Sequence, residues 1–146
     1  MEIQSLKLFL TNADLCNLLL QNLPEQEGIE DLETRFTPQG VVVQARYYAG
    51  FGFRVPFETV WQVEPAASTL RIQLTKLNVG GMPANLFQGT LLDMIRDAIA
   101  NHPGLSMEND TLLVDIATLA RSAGLELKIC FTEVRLSIGT AVIEAG

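Results

Sequence analysis

The chain has 146 residues, 48% of them hydrophobic and only 18% charged, with a formal net charge of −7. That length fits one domain spanning 1–146 with a sizeable core, and the apolar content excludes a disordered chain. The negative balance argues against nucleic acid, whose phosphates need clustered Lys and Arg, and against general attraction to anionic membranes, although a local patch leaves room for transient membrane contact.

In chain order, residues 3–10 alternate Leu6, Leu8 and Leu10 against Lys7 and Phe9, as a strand does. Thr11 with Asp14 three positions later resembles a capping box. It opens a helix striped by Leu15, Leu18, Leu19 and Leu23 and ended by Pro24. The stretch Glu25 to Glu33 is acidic and partly loop. A strand at about 29–36 turns at Thr37-Pro38-Gln39-Gly40 into another at 41–49, where Val41, Val43, Ala45 and Tyr47 share a face.

Gly50-Phe51-Gly52 marks a tight connection or bend. The next strand, 53–64, has the clearest alternation in the chain. Phe53, Val55, Phe57, Thr59, Trp61 and Val63 point one way, and Arg54, Pro56, Glu58, Val60, Gln62 and Glu64 the other. A period of two of this length requires a sheet with one buried and one mostly wet face. After a turn at Pro65-Ala66-Ala67-Ser68, Leu70, Ile72 and Leu74 alternate, but Leu77 and Val79 fall out of phase. A bulge near Thr75-Lys76 would reset the register and bend the strand.

Gly80 to Pro83 ends that strand, and Pro83 suits a first helical position. Over 84–101, plotted at about 100° per residue, Phe87, Leu91, Leu92, Met94, Ile95, Ala98 and Ile99 fall in one arc with Gln88 intruding. This arc spans about 160°, wider than a surface helix needs. Leu112 to Val114 then reads as a short strand, Asp115 as the cap of a short helix with Ile116, Leu119 and Ala120, and Gly124 as its end. Leu125, Leu127, Ile129 and Phe131 alternate as a strand, and Val134, Leu136 and Ile138 lead through a turn at Gly139-Thr140 into Ala141-Val142-Ile143. The two ends of the chain thus read as degenerate copies of one strand–helix–strand unit.

The segments TNADLCNLLLQ, GVVVQARY, PFETVWQVE, LNVGGMPANLFQGTLLDMI, LLVDIATLARSAGL and FTEVRLSIGTAVIEA, in that order, resemble the LmeA-like bacterial domains. Those belong to the tubular lipid-binding (TULIP) group, related to bactericidal/permeability-increasing proteins. The likeness covers nearly the whole chain as diffuse patterning. Its closest points are Thr11 with Leu15, Gly80 to Pro83, Asp115 with Leu119, and Thr132-Glu133-Val134-Arg135. It implies a strongly curved antiparallel sheet wrapped around one long helix, a half barrel with an apolar groove between the two, and lipid binding. The chain departs from such proteins in its first segment, MEIQSLKLFLTNAD, which lacks the basic start and small-residue cleavage site of an export signal.

Little of the chain is suited to catalysis. The single histidine, His102, precedes Pro103 at a helix end, where it would face terminal carbonyls or solvent. No Ser or Cys is set in a nucleophile motif, and Gly80-Gly81 lacks the spacing of a phosphate-binding loop. Glu25, Glu27, Glu30, Asp31 and Glu33 do not fit a calcium loop and read as a solvated acidic stretch. Cys16 and Cys130 lack metal spacing and read as reduced, packed thiols. No apolar run approaches the roughly 20 residues of a membrane span.

The expectation is therefore an α+β domain without enzyme activity, cofactor or metal, in the cytoplasm with membrane association allowed. A curved antiparallel sheet wraps the helix at 84–101, with short helices near 11–22 and 115–123. Its function is binding of a lipid or other elongated apolar molecule in a groove lined by Phe53, Val55, Phe57, Trp61, Leu70, Ile72, Leu74, Phe87, Leu91 and Ile95. The alternative is that these residues fill an ordinary core. The chain would then be a structural or protein-interaction module, with Phe9, Tyr48 and Val60 on outward faces and a homodimer as one form of it.

Overall fold

A computed structural model describes residues 5–22, 29–50, 52–80 and 84–146. Among these, nine strands and three helices form an antiparallel α+β fold. In chain order they are β1 (Leu6–Thr11), α1 (Asn12–Asn22), β2 (Ile29–Thr37), β3 (Gly40–Gly50), β4 (Phe53–Ala66), β5 (Thr69–Val79), α2 (Ala84–Ile99), β6 (Leu105–Glu108), β7 (Thr111–Asp115), α3 (Ile116–Ser122), β8 (Phe131–Ser137) and β9 (Thr140–Ala145).

The strands divide into two sheets, which alternation alone did not foretell. The larger runs β2-β3-β4-β5-β7-β6 and the smaller β1-β9-β8. Each strand–helix–strand unit passes from one sheet to the other. α1 joins β1 of the small sheet to β2 of the large one, and α3 joins β7 of the large sheet to β8 of the small one. The sheets are also bonded directly, Phe131 N donating to Ala67 O at 2.7 Å and Gly139 N to Phe36 O at 3.0 Å. Phe36 N in turn donates to Asn12 Oδ1 at 2.7 Å, fixing the start of α1 over the end of β2.

Both end helices are capped as their sequences require. Thr11 N donates to Asp14 Oδ2 at 2.9 Å, and Asp14 N donates back to Thr11 Oγ1 at 3.2 Å. This reciprocal pair satisfies two donors that a helix start leaves orphaned. Asp115 Oδ1 accepts from Thr118 N at the start of α3. At its end Leu125 N reaches back to Ala120 O across Gly124, whose φ of 83° suits glycine.

The bulge also lies where the phase break puts it. Val60 pairs with Lys76 and Trp61 with Leu74, leaving Thr75 unmatched on β5. That extra residue returns Leu77 and Val79 to the face of Ile72 and Leu74. Pro56 is tolerated inside β4 because its missing donor falls on the side where β5 has ended. There its carbonyl accepts from Gly80 N at 2.9 Å.

Some expectations change. β6 was not foreseen, since four residues are too few for alternation to stand out. The alternation over 125–130 does not form a strand: apart from an isolated bridge at Lys128 the ladder begins at Phe131. Alternation reports where side chains face, not whether a neighbouring backbone is there to pair. Both cysteines are free, but Cys130 is exposed and only Cys16 is half-buried. The expectations for Leu23, Pro24, Glu25, Glu27, Phe51 and Pro83 lie outside the described residues.

Candidate functional site

Register assigns every residue of the large sheet to a face. Residues paired across an antiparallel ladder point to the same side, so the sheet reads as cross-strand rows. On one side the rows are Ile29, Tyr47 and Val55; Ala45, Phe57 and Val79; Thr34, Val43, Thr59 and Leu77; Phe36, Val41, Trp61 and Leu74; and Val63, Ile72, Leu112 and Met107. All are uncharged. On the other side Arg35, Gln44, Arg46, Arg54, Glu58, Arg71 and Lys76 alternate with them.

Helix α2 lies on the apolar side. Phe87, 2% exposed, meets Tyr47 edge-on at a ring distance of 5.6 Å and Phe57 at 5.0 Å. Near the far end of the helix Arg96 donates to Asn109 O at 3.1 Å. The helix thus runs from β3 and β4 toward the β6–β7 turn. Its buried positions Phe87, Leu91 and Leu92, with Met94, Ile95, Ala98 and Ile99 half-buried, make up the broad arc expected of it. Arg96, Asp93 and Asp97 face solvent.

The ten expected groove residues separate under this geometry. Phe57, Trp61, Leu74, Phe87 and Leu91 are buried in one cluster with Ala45 and Leu92, and Ile72 and Ile95 pack half-buried against it. Val55 and Leu70 are half-buried outside the cluster. The side chain of Phe53 lies outside the described residues. The cluster also has a partly buried margin that was not among the expected groove residues: Ile29, Leu32, Val41, Val43 and Tyr47, on β2 and β3. Their alternation was legible, but that they are only partly buried depends on what packs over them.

Polar groups on this side are few. Thr59, 1% exposed, donates to Val43 O at 3.2 Å and accepts from Trp61 Nε1 at 2.7 Å. One row-mate differs: Thr34 Oγ1 is the one buried side-chain polar atom without a partner among the described residues. An unpaired buried hydroxyl costs stability.

The opposite face carries an open depression of about 800 Å³ lined by Asp31, Glu33, Gln44, Arg46, Pro56, Glu58 and Asn78, among others. Its charges are largely internally matched. Gln44 donates to Glu58, Arg35 lies 3.8 Å from Glu58, and Arg46 lies 3.7 Å from Asp31. These groups are well solvated, so the pairs hold little energy and present no convergent unpaired charge.

His102 is exposed. Among the described residues no group of three or more His, Cys, Asp or Glu is placed to hold a metal ion. No helix among them is long and apolar enough to cross a membrane. Comparison with known protein families, curated proteins and solved structures finds no match.

Proposed function

We propose that this chain binds a lipid or other elongated apolar molecule, without catalysis, along the seam between α2 and the apolar face of the large sheet. The observation that carries this reading is the incomplete burial of that face. Seven residues form the buried centre, yet ten further hydrophobic side chains packed on it remain partly exposed. An apolar surface left half open in this way is a surface with room for a guest.

The resemblance to LmeA-like TULIP domains supports the same reading. On it, the large sheet bends around α2 as those sheets bend around their long helix, with the bulges at Thr75, between Glu30 and Glu33, and between Tyr48 and Gly50 supplying curvature. Energetics set the mode of action. Burying about ten methylenes returns roughly 8 kcal/mol against water, but a bilayer returns about as much, so the site carries or samples lipid instead of sequestering it. Native mass spectrometry of freshly purified protein tests this. Co-purified lipid, or saturable titration of a fluorescent fatty-acyl probe after delipidation, is the expected result. A strictly unliganded protein that takes up no probe overturns it.

A second reading has its own observation. Phe9 is 63% exposed and Leu8 41% exposed on β1, an edge strand of the small sheet. An apolar edge with unpaired backbone invites another chain. This reading, an interaction module or homodimer, is tested by light scattering: a monomer at micromolar concentration counts against it.

A further inference from the structure

We infer that the open edge of β1 pairs with the β1 edge of a second copy of this chain, antiparallel about a two-fold axis, with Leu8 opposite Leu8. The inference rests on the interaction-module reading above and sharpens it. Sheet edges differ in how far they are defended against pairing. β2 is broken by a bulge between Glu30 and Glu33 with Asp31 at a φ of 55°, and it carries Glu30, Asp31, Glu33 and Arg35. β6 is only four residues long. β8 is bulged between Phe131 and Glu133, carries Glu133 and Arg135, and is tied to the large sheet through Phe131 N. β1 instead runs six residues in unbroken register against β9, with Lys7 as its one charge.

The hydrogen-bond phase says which backbone groups of β1 face outward. Asn12 N donates to Gly139 O at 3.2 Å, continuing the ladder, whereas Thr11 N turns away from β9 to Asp14 Oδ2. Bonded and non-bonded pairs alternate along an antiparallel ladder. Leu6, Leu8 and Leu10 therefore spend their backbone groups on β9, while those of Lys7 and Phe9 point to the open edge. Thr11 points outward too, but its donor is taken by the cap.

These outward groups complement themselves in one register. With Leu8 on the axis, Lys7 and Phe9 each face the other residue on the second copy, and their donors and acceptors are exchanged in full. Centring on Phe9 would set Lys7 against the occupied Thr11, and centring on Lys7 would oppose like charges. The side chains fit the same register. On one face the row Val134, Ile143, Leu8 continues into Leu8, Ile143, Val134 of the second copy, and Leu10 meets Leu6, so apolar rows run on unbroken. On the other face Phe9, 63% exposed, gains the aliphatic stem of the second copy's Lys7. That ammonium keeps its own counter-charge, Glu144, at 3.7 Å. An unrelated partner would have to match each of these features separately; a second copy matches them by symmetry.

The test uses the full chain. Sedimentation at micromolar concentration is expected to show a dimer. Single cysteines are then introduced with Cys16 and Cys130 replaced by Ser. Under mild oxidation Leu8→Cys is expected to give a disulfide-linked dimer, because facing non-bonded residues lie about 4.5 Å apart between Cα atoms, within disulfide range. Phe9→Cys, displaced from its own copy by two residues and so about 9 Å away, is expected not to cross-link. Phe9→Pro removes an outward donor without touching the ladder to β9, and is expected to raise the dimer dissociation constant roughly tenfold or more with an unchanged circular dichroism spectrum. A dimer in which Leu8→Cys does not cross-link ahead of Phe9→Cys, or which a folded Phe9→Pro leaves unshifted, overturns the β1 pairing while leaving a homodimer intact. A monomer throughout the micromolar range removes the homodimer and this inference with it.

Discussion

The two faces of the large sheet share the same strands and hydrogen bonds yet differ in nearly everything else. One face has uncharged rows gathered under α2, with Phe87 and Thr59 almost fully buried. The other has Arg35, Arg46, Glu58 and their partners spread over an open depression. The backbone is common to both, so the difference is made by side chains at a period of two. It separates a face whose rows carry no charge from one whose exposed charges flank a single buried spot at Val42. On the proposed reading a guest would gain energy beside α2 and not in the depression behind.

Substitutions can break or sharpen that contrast. The largest effect is expected at Phe87→Ala, which removes the ring held between Tyr47 and Phe57. Loss of about 3–5 kcal/mol of stability in urea unfolding is expected, as for other buried aromatic truncations. A loss below about 1 kcal/mol, the scale of a surface change, would mean that α2 is not seated on the sheet as described.

Thr59→Val comes next. It keeps the shape but leaves the buried Trp61 indole N–H without its acceptor, at a cost of about 1–3 kcal/mol. Indole fluorescence should shift with the lost hydrogen bond. Smallest is Arg46→Ala on the opposite face. Its pair with Asp31 is exposed on both sides, so a change below about 0.5 kcal/mol is expected. Equal costs at Thr59 and Arg46 would erase the distinction between the faces.

Much of this contrast is legible before any coordinates. The alternation from Val55 to Glu64 assigns both faces of β4, and the phase slip between Leu74 and Leu77 places the bulge near Thr75-Lys76, with Thr75 the extra residue. The caps at Thr11 and Asp115 are equally local, since each needs only residues three apart. What is not legible depends on partners distant in the chain. Nothing in LKLFLT says that β1 pairs with β9 and not with β2, and nothing in Leu125 to Cys130 says that no ladder awaits them. The candidate site follows the same rule. Its apolar residues announce themselves, whereas the partial burial of Val43 and Tyr47 depends on packing between distant elements.

The pairing of β1 with β9 bears on how the chain is made. Leu6 to Thr11 is made before its ladder partner, Thr140 to Ala145, which follows only after every strand of the large sheet. Until that partner emerges the strand stays single, with Leu8 and Phe9 available to any passing chain. The six-stranded sheet, built mostly from sequential hairpins, can form meanwhile. Closure of the small sheet is then a late step, one that holdase chaperones have time to guard.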